Sequence, residues 1–209
     1  MNLFIITPEI DHPEEIGLIH TFFENGLSKL HLRKPFFSLS DYRDFLNRID
    51  KKLHSGISIH NHFSLLTEFP GLGAHITGEA RKEGRFPEII HLLKPSTLST
   101  SFHSWKEIED NRYPFDYVFI SPVFDSISKK GYSAKIDLPA IKQVKQKIIS
   151  NNKKLPSIIA LGGIDAVNMG LLYQHGFDGM AVLGAVWESA NPLASFMKIK
   201  ENLKAFEDA

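Results

Sequence analysis

Side chains that could act on a small phosphorylated molecule follow several short apolar runs of the chain. His103 is a candidate general acid and base, because histidine titrates near neutral pH. Glycines let backbone N–H groups approach an anion closely, although glycines also serve tight turns without any ligand. The candidates for phosphate binding are Gly162, Gly163, Gly184 and Ala185.

The segment 125–131 offers a second set of anion donors. Its two hydroxyls and its lysine can donate hydrogen bonds to phosphate or diphosphate oxygens, and these candidates are Ser126, Ser128 and Lys129. A loop of this composition is also common as a merely solvated segment. Opposite a glycine-rich phosphate site, however, a binding role is favoured.

Five of the ten histidines fall on or beside predicted strand ends: His31, His60, His62, His75 and His103. The pair His60-x-His62 has a spacing found among metal ligands of barrel hydrolases. Such a centre needs a carboxylate and further histidines that converge on it. Neither the end of the sixth strand nor that of the seventh offers a carboxylate in the right place, so the sequence predicts no metal centre for hydrolysis.

The elements that must position these residues alternate between short apolar runs and helix-period segments, which is typical of βα units on a parallel sheet. The predicted strands are 3–7, 29–33, 57–60, 73–76, 97–102, 117–122, 156–161 and 179–183. Helices are predicted from Pro13 to Gly26, from Ser38 or Ser40, after a cap at Asp137, from a cap at Asp165 to Gly176, and from Asn191-Pro192 onward. Eight units in 209 residues predict one α/β domain spanning residues 1–209, a compact (β/α)8 TIM barrel. A doubly wound sheet is disfavoured because no early dinucleotide-binding glycine motif is present.

In such a barrel the chemistry lies at the carboxyl ends of the strands, and the loops after strands seven and eight commonly bind phosphate. Alternation along the second strand predicts that His31 and Arg33 point into the barrel. On the fifth strand Ser99, Ser101 and His103 share one face, so His103 is also expected to face inward.

Composition excludes several classes of function. Without cysteine there are no disulfides, zinc–thiolate sites or thiol nucleophiles. The 24 basic and 24 acidic side chains cancel, which argues against a nucleic-acid partner. No apolar run has the length of a membrane helix, and the first residues lack a basic leader. A cytoplasmic location without membrane contact is therefore expected.

These strand ends, in this order, resemble the thiamin phosphate synthase and thiazole tautomerase family over nearly the whole chain. The segments that carry the resemblance are Phe4-Ile5-Ile6-Thr7, Leu30-His31-Leu32-Arg33, Ser101-Phe102-His103-Ser104, Asp116-Tyr117-Val118, 122–131, Ala160-Leu161-Gly162-Gly163-Ile164 with Asn168, and 176–182. The synthase branch of the family joins a thiazole phosphate to a pyrimidine diphosphate, using Mg²⁺ held by two aspartates. In this chain Asn61 and Ala80 stand at the aspartate positions, and Glu79 lies one position out of register.

The tautomerase branch fits better at His31, Asn61 and His103. The resemblance thus implies a thiazole tautomerase that aromatises a thiazole phosphate carboxylate without a cofactor. His103 would be the catalytic residue, and the substrate-binding residues would be Arg33, which holds the carboxylate, His31, Asn61, Ser126, Ser128 and Lys129. The first alternative is a divergent thiamin phosphate synthase that uses Mg²⁺. The second is a non-catalytic module that binds a phosphorylated ligand; a homo-oligomer is compatible with all three.

Overall fold

The computed structural model describes residues 1–82, 91–125, 134, 136–151 and 153–208. Eight parallel strands close into a barrel in chain order, so the (β/α)8 prediction is confirmed. The strands are β1 Asn2–Ile6, β2 Lys29–Leu32, β3 Ile57–Ile59, β4 Gly73–Ile76, β5 Leu98–Phe102, β6 Tyr117–Ile120, β7 Ser157–Leu161 and β8 Gly179–Val182.

Helices lie between the strands. They are α1 Glu15–Glu24, α2 Leu39–Asn47, α3 Leu65–Glu68, α4 Gly78–Lys82, α5 Trp105–Asp110, α6 Ile141–Ser150, α7 Met169–His175, α8 Gly184–Trp187 and α9 Pro192–Glu207, with 3₁₀ turns at Lys51–Gly56 and Leu138–Ala140. Within the described ranges, no helix combines the length and the apolar character needed to cross a membrane.

Two helix starts follow the capping chemistry of the sequence. Ser38 caps α2, since its Oγ accepts from the Asp41 N–H at 3.2 Å while Asp41 accepts from the Ser38 N–H at 2.8 Å. At α9 the Asn191 side chain accepts from the Ala194 N–H at 3.0 Å, and Pro192 occupies the first turn, where its missing N–H costs nothing.

Two predicted caps are wrong. Asp137 makes no side-chain cap and precedes the 3₁₀ turn, so α6 begins only at Ile141. Asp165 accepts from the N–H groups of Val167 and Asn168, at 2.8 and 3.0 Å. These bonds close a turn ahead of α7, whose first residue is therefore Met169. The end of α7 is as predicted, since Gly176 follows it with a left-handed φ of +84°.

The barrel interior has an apolar half and a polar half. Side chains from β1 and β6–β8 form a separate apolar cluster of Phe4, Ile6, Tyr117, Phe119, Ile159 and Ala181. The strands β2–β5 instead bring buried polar side chains, which include Lys29, His31, Ser58, His75 and Ser99. Leu30 and Leu32 belong to the outer core beneath the helices, so the predicted inward orientation of His31 is confirmed.

Candidate functional site at the barrel mouth

A cleft of about 530 Å³ opens at the carboxyl ends of the strands. It is lined by all the predicted phosphate-binding residues and by the predicted carboxylate ligand: Gly162, Gly163, Gly184, Ala185 and Arg33. These positions lie far apart in the sequence and meet because β7, β8 and β2 end at the same edge of the barrel. The cleft is therefore the candidate binding site for a small anionic substrate.

The loop after β7 has a backbone that only glycine adopts readily. Gly162 and Gly163 have φ angles of +101° and +65°. A Cβ at Gly163 would lie 2.2 Å from the carbonyl oxygen of Asp125, so a side chain is excluded there by contact as well as by conformation. Asn168 braces the loop by donating from Nδ2 to the Gly163 carbonyl at 2.7 Å. The loop thus presents main chain rather than side chains to the cleft.

Gly184 begins the short helix α8 beside this loop. A Cβ at Gly184 would lie 3.3 Å from the carboxylate of Glu188, which also lines the cleft. Because like charges repel, a phosphate at Gly184 requires the exposed Glu188 side chain to turn into solvent. Phosphate binding at these glycines stays a prediction.

Arg33 lies on the wall of the cleft, not inside the barrel as alternation along the strand predicts. The strand β2 ends at Leu32, and the Arg33 N–H then donates to Thr7 Oγ1 at 2.9 Å, which turns the side chain toward the β1 loop. Its guanidinium forms an ion pair with Glu9 and is 40% exposed. A substrate carboxylate would therefore share or replace Glu9 as the partner of Arg33.

Lys34, the next residue, has a structural role that the sequence does not reveal. Its side chain is fully buried, and Nζ donates to Glu15 at 2.7 Å and to Asp11 at 3.1 Å. Burial raises the pKa of the Glu15 carboxyl, although Lys34 opposes that shift. These contacts attach the β1–α1 loop and the start of α1 to the end of β2, directly after Arg33.

His103 lies one residue beyond the end of β5 and is exposed at the rim, so the predicted inward orientation is wrong. The chain turns outward there because Ser104 caps α5, its hydroxyl accepting from the Glu107 N–H at 3.3 Å. The ring is nevertheless fixed, since Nδ1 lies 3.0 Å from the carbonyl oxygen of Ser121. Pro122, the next residue, lies against Gly162, so the β6 loop connects the histidine with the glycine loop, but His103 itself does not line the cleft.

His31 lies beneath the mouth in contact with two further histidines, His60 and His75, which the sequence places at strand ends without assigning them a role in the site. Its Nδ1 is 3.0 Å from His60 Nε2, and its Nε2 is 2.9 Å from the Tyr117 hydroxyl. His75 packs against both histidine rings, with ring centroids 5.1 and 4.3 Å away. His62, by contrast, bonds to the Phe37 carbonyl at 3.0 Å, outside this group. Strand alternation could have predicted that two of these rings face the interior, since His31 and His75 occupy inward positions of β2 and β4.

Asn61 and Arg81 carry buried polar atoms with no hydrogen-bond partner among the described residues, namely Asn61 Oδ1 and one guanidinium nitrogen of Arg81. The Arg81 guanidinium stacks 4.2 Å from the centre of the Phe102 ring, and burial lowers its pKa. Unpaired polar atoms at a mouth are candidate ligand contacts, because burial without a partner is costly. Sequence reasoning missed Arg81.

The same residues do not fit Mg²⁺. This ion prefers charged oxygen ligands, and an amide at Asn61 with a methyl at Ala80 supplies no charge. Glu79 is exposed on the first turn of α4, and Arg81 adds a positive charge to this side of the mouth. No reaction step through magnesium is derived for this chain.

Ser126, Ser128 and Lys129 lie outside the described residues. Their predicted role in binding substrate stays a prediction from the sequence.

Comparison with known proteins decides the family. The family model described as thiamine monophosphate synthase matches residues 3–186. The chain belongs to this family. A thiamine-phosphate synthase of Desulfitobacterium hafniense is 24% identical over 201 residues, which cover 93% of each chain. Its counterpart from Lysinibacillus sphaericus is 26% identical over 202 residues, covering 90% of this chain and 89% of the relative.

Solved structures agree with the family assignment. A thiamine phosphate pyrophosphorylase from Bacteroides thetaiotaomicron superposes with a TM-score of 0.70 at 29% identity, covering 100% of this chain and 98% of that one. A pyrophosphorylase from Pyrococcus furiosus, with a TM-score of 0.79 at 16% identity, shows the same fold. The sequence relatives are named as synthases and the solved structures as pyrophosphorylases, so the names favour the predicted alternative over the predicted tautomerase.

Proposed function

We propose that the chain is a thiazole tautomerase of this family, acting on a thiazole phosphate carboxylate. The observation that carries the proposal is the His103 ring, whose Nδ1 is held by the Ser121 carbonyl at the carboxyl end of the barrel, beside the loop that packs on Gly162. A carbonyl can only accept, so Nδ1 carries the proton and Nε2 of the neutral ring carries the lone pair. Nε2 has no partner among the described residues, which suits it to exchange protons with a ligand.

Aromatisation then needs one base that also acts as an acid. Nε2 of His103 removes the proton from ring carbon C2, and the resulting imidazolium returns a proton to the exocyclic carbon. Arg33 binds the substrate carboxylate, and the main chain of Gly162, Gly163 and Gly184 binds the phosphate. Two anion contacts on different loops hold the ring in one orientation, which turns proton transfer into an intramolecular step. No metal takes part in this scheme.

His103→Gln tests the acid–base role. Glutamine keeps polarity but cannot titrate near neutral pH, so the aromatisation rate should fall by roughly 10²–10⁴-fold. Binding of the product thiazole phosphate carboxylate should stay within a few-fold of the parent, since its anion contacts lie elsewhere. His175→Gln at the end of α7 is the matched control and should retain the parent rate. Equal aromatisation rates in His103→Gln and the parent would remove His103 from the mechanism.

The second candidate is a divergent thiamin phosphate synthase, which the names of the relatives favour. Asn61 and Glu79 would then have to bind a weaker Mg²⁺, and Lys129 would bind the diphosphate. Calorimetry with Mg²⁺ and a pyrimidine diphosphate separates the two candidates. If Mg²⁺ and the pyrimidine diphosphate each bind only in the presence of the other, the synthase is supported. A tautomerase should instead bind thiazole phosphate even in the presence of a chelator. A cytoplasmic location stays an expectation under both.

A further inference from the structure

The polar half of the barrel interior contains a cluster of three histidines that the proposed reaction does not use. One ring nitrogen from each of His31, His60 and His75 lies within 4.8 Å of the other two. We propose that these three side chains form a binding site for a divalent transition-metal ion such as Zn²⁺. Imidazole nitrogen suits Zn²⁺, Cu²⁺ and Ni²⁺, whereas Mg²⁺ prefers oxygen, so this site differs in chemistry from a magnesium site.

The spacing between His31 and His60 needs only a small adjustment to hold a metal ion. The facing nitrogens of His31 and His60 are 3.0 Å apart. Two nitrogens bound to one tetrahedral zinc at about 2.0–2.1 Å lie roughly 3.3 Å apart. Side-chain rotation at His60, which is the least buried of the three, would open that distance. His60 also follows the end of β3, so an ion would have its open position on the side of the mouth.

The outer nitrogens of His31 and His75 already have the kinds of partner that metal-binding histidines use. His31 Nε2 lies 2.9 Å from the Tyr117 hydroxyl, which in turn bonds to Ser58 at 3.0 Å. In the metal-bound state His75 Nδ1–H would donate to Ser99 Oγ, which lies 2.9 Å away and can itself donate to the Ala74 carbonyl at 3.4 Å. Such contacts fix the ring orientation and leave a lone pair on the inner nitrogen. In His75 that inner nitrogen is Nε2, which now bonds to Ser101 at 3.0 Å.

Charge both helps and opposes the metal. Burial lowers the pKa of all three histidines, so protons do not compete for the ligand nitrogens at neutral pH. Arg33 and Arg81 also lower the pKa of His75, and the same positive field repels a cation. The fourth ligand should therefore be an anion, such as hydroxide, carboxylate or a phosphate oxygen, which the two arginines would attract.

The test is a titration of the full-length, chelator-treated protein with Co²⁺ and with Zn²⁺. Visible absorption bands of tetrahedral Co²⁺ and one Zn²⁺ per chain by calorimetry are the expected results. His60→Gln and His75→Gln should each weaken Zn²⁺ binding at least about 100-fold, and Tyr117→Phe should weaken it about 10-fold or more. His62→Gln, outside the cluster, is the matched control and should bind like the parent.

Histidine ring ¹⁵N spectra of the parent give a second measurement that needs no variant. Zn²⁺ should shift the ring signals of the three cluster histidines and leave those of His62 unchanged. Absence of one-to-one binding by the parent, or equal weakening in His62→Gln and His60→Gln, would overturn the proposal. Because binding is the readout, neither result depends on which reaction the chain catalyses.

Discussion

The histidine cluster predicts that the metal-free protein loses stability steeply in mild acid. Burial lowers the pKa of His75 to about 3 and holds those of His31 and His60 well below 6.5. Between those values and pH 6.5 the unfolded chain binds protons that the folded chain does not. Stability therefore rises with pH in this window and is lost as the pH falls.

The magnitude follows from the number of groups. Each histidine that is neutral when folded and protonated when unfolded contributes about 1.4 kcal/mol per pH unit. Three such groups set an upper limit of about 4 kcal/mol on the stability lost between pH 6 and pH 5. A domain is stable by only about 5–15 kcal/mol, so a loss of this size should bring the barrel close to unfolding at about pH 5.

Urea denaturation in a chelator-containing buffer from pH 5 to pH 8 measures this loss. His75→Gln and His60→Gln should each reduce the slope by about 1 kcal/mol per pH unit, and His62→Gln should keep the parent slope. If the free energy of unfolding of the parent does not change between pH 5 and pH 8, the three histidines are not buried in neutral form as described. A slope equally steep in His75→Gln and the parent would refute that description as well.

Two further predictions concern the support of the cleft. Lys34→Met should lower the free energy of unfolding by about 3–5 kcal/mol, because it removes the cation paired with the buried Glu15 carboxylate. Lys52→Met breaks an exposed ion pair and should lower it by at most about 1 kcal/mol in the same denaturation experiment. Gly163→Ala should lower the melting temperature and the affinity for thiazole phosphate, since its Cβ would meet the Asp125 carbonyl. Gly176→Ala, with a positive φ but open space around the Cβ, should cost only about 1 kcal/mol and leave that affinity unchanged; equal losses in both variants would contradict the role assigned to the loop.

Much of the fold could be predicted because strand order and chemistry are coupled in a parallel barrel. Alternating apolar runs give the eight strands. The glycines after β7 and β8 can then be placed at one edge of the barrel before any contact is known. Helix starts were harder, since Asp165 can either cap a helix or close a turn before it. The local sequence supports both outcomes, and in the structure the turn forms.

Strand alternation predicts that His31 and His75 face the interior, but it does not indicate that they meet each other and His60, which follows the end of β3. The register pairs His31 with Ser58, and Ser58 with Gly73. His60 lies two residues after Ser58, and His75 lies two residues after Gly73, so neither pairs directly with His31. Only the stagger of the closed barrel brings their rings together. Likewise, Arg33 leaves the interior because β2 stops one residue before it, which alternation alone does not indicate.

We propose that this member of the thiamine monophosphate synthase family aromatises a thiazole phosphate carboxylate without magnesium. Both reactions should be measured with the parent protein, with Mg²⁺ and with a chelator. We expect aromatisation at equal rates in both buffers, and no thiamin phosphate from thiazole phosphate and pyrimidine diphosphate. Magnesium-dependent formation of thiamin phosphate, with no aromatisation above the uncatalysed rate, would contradict it.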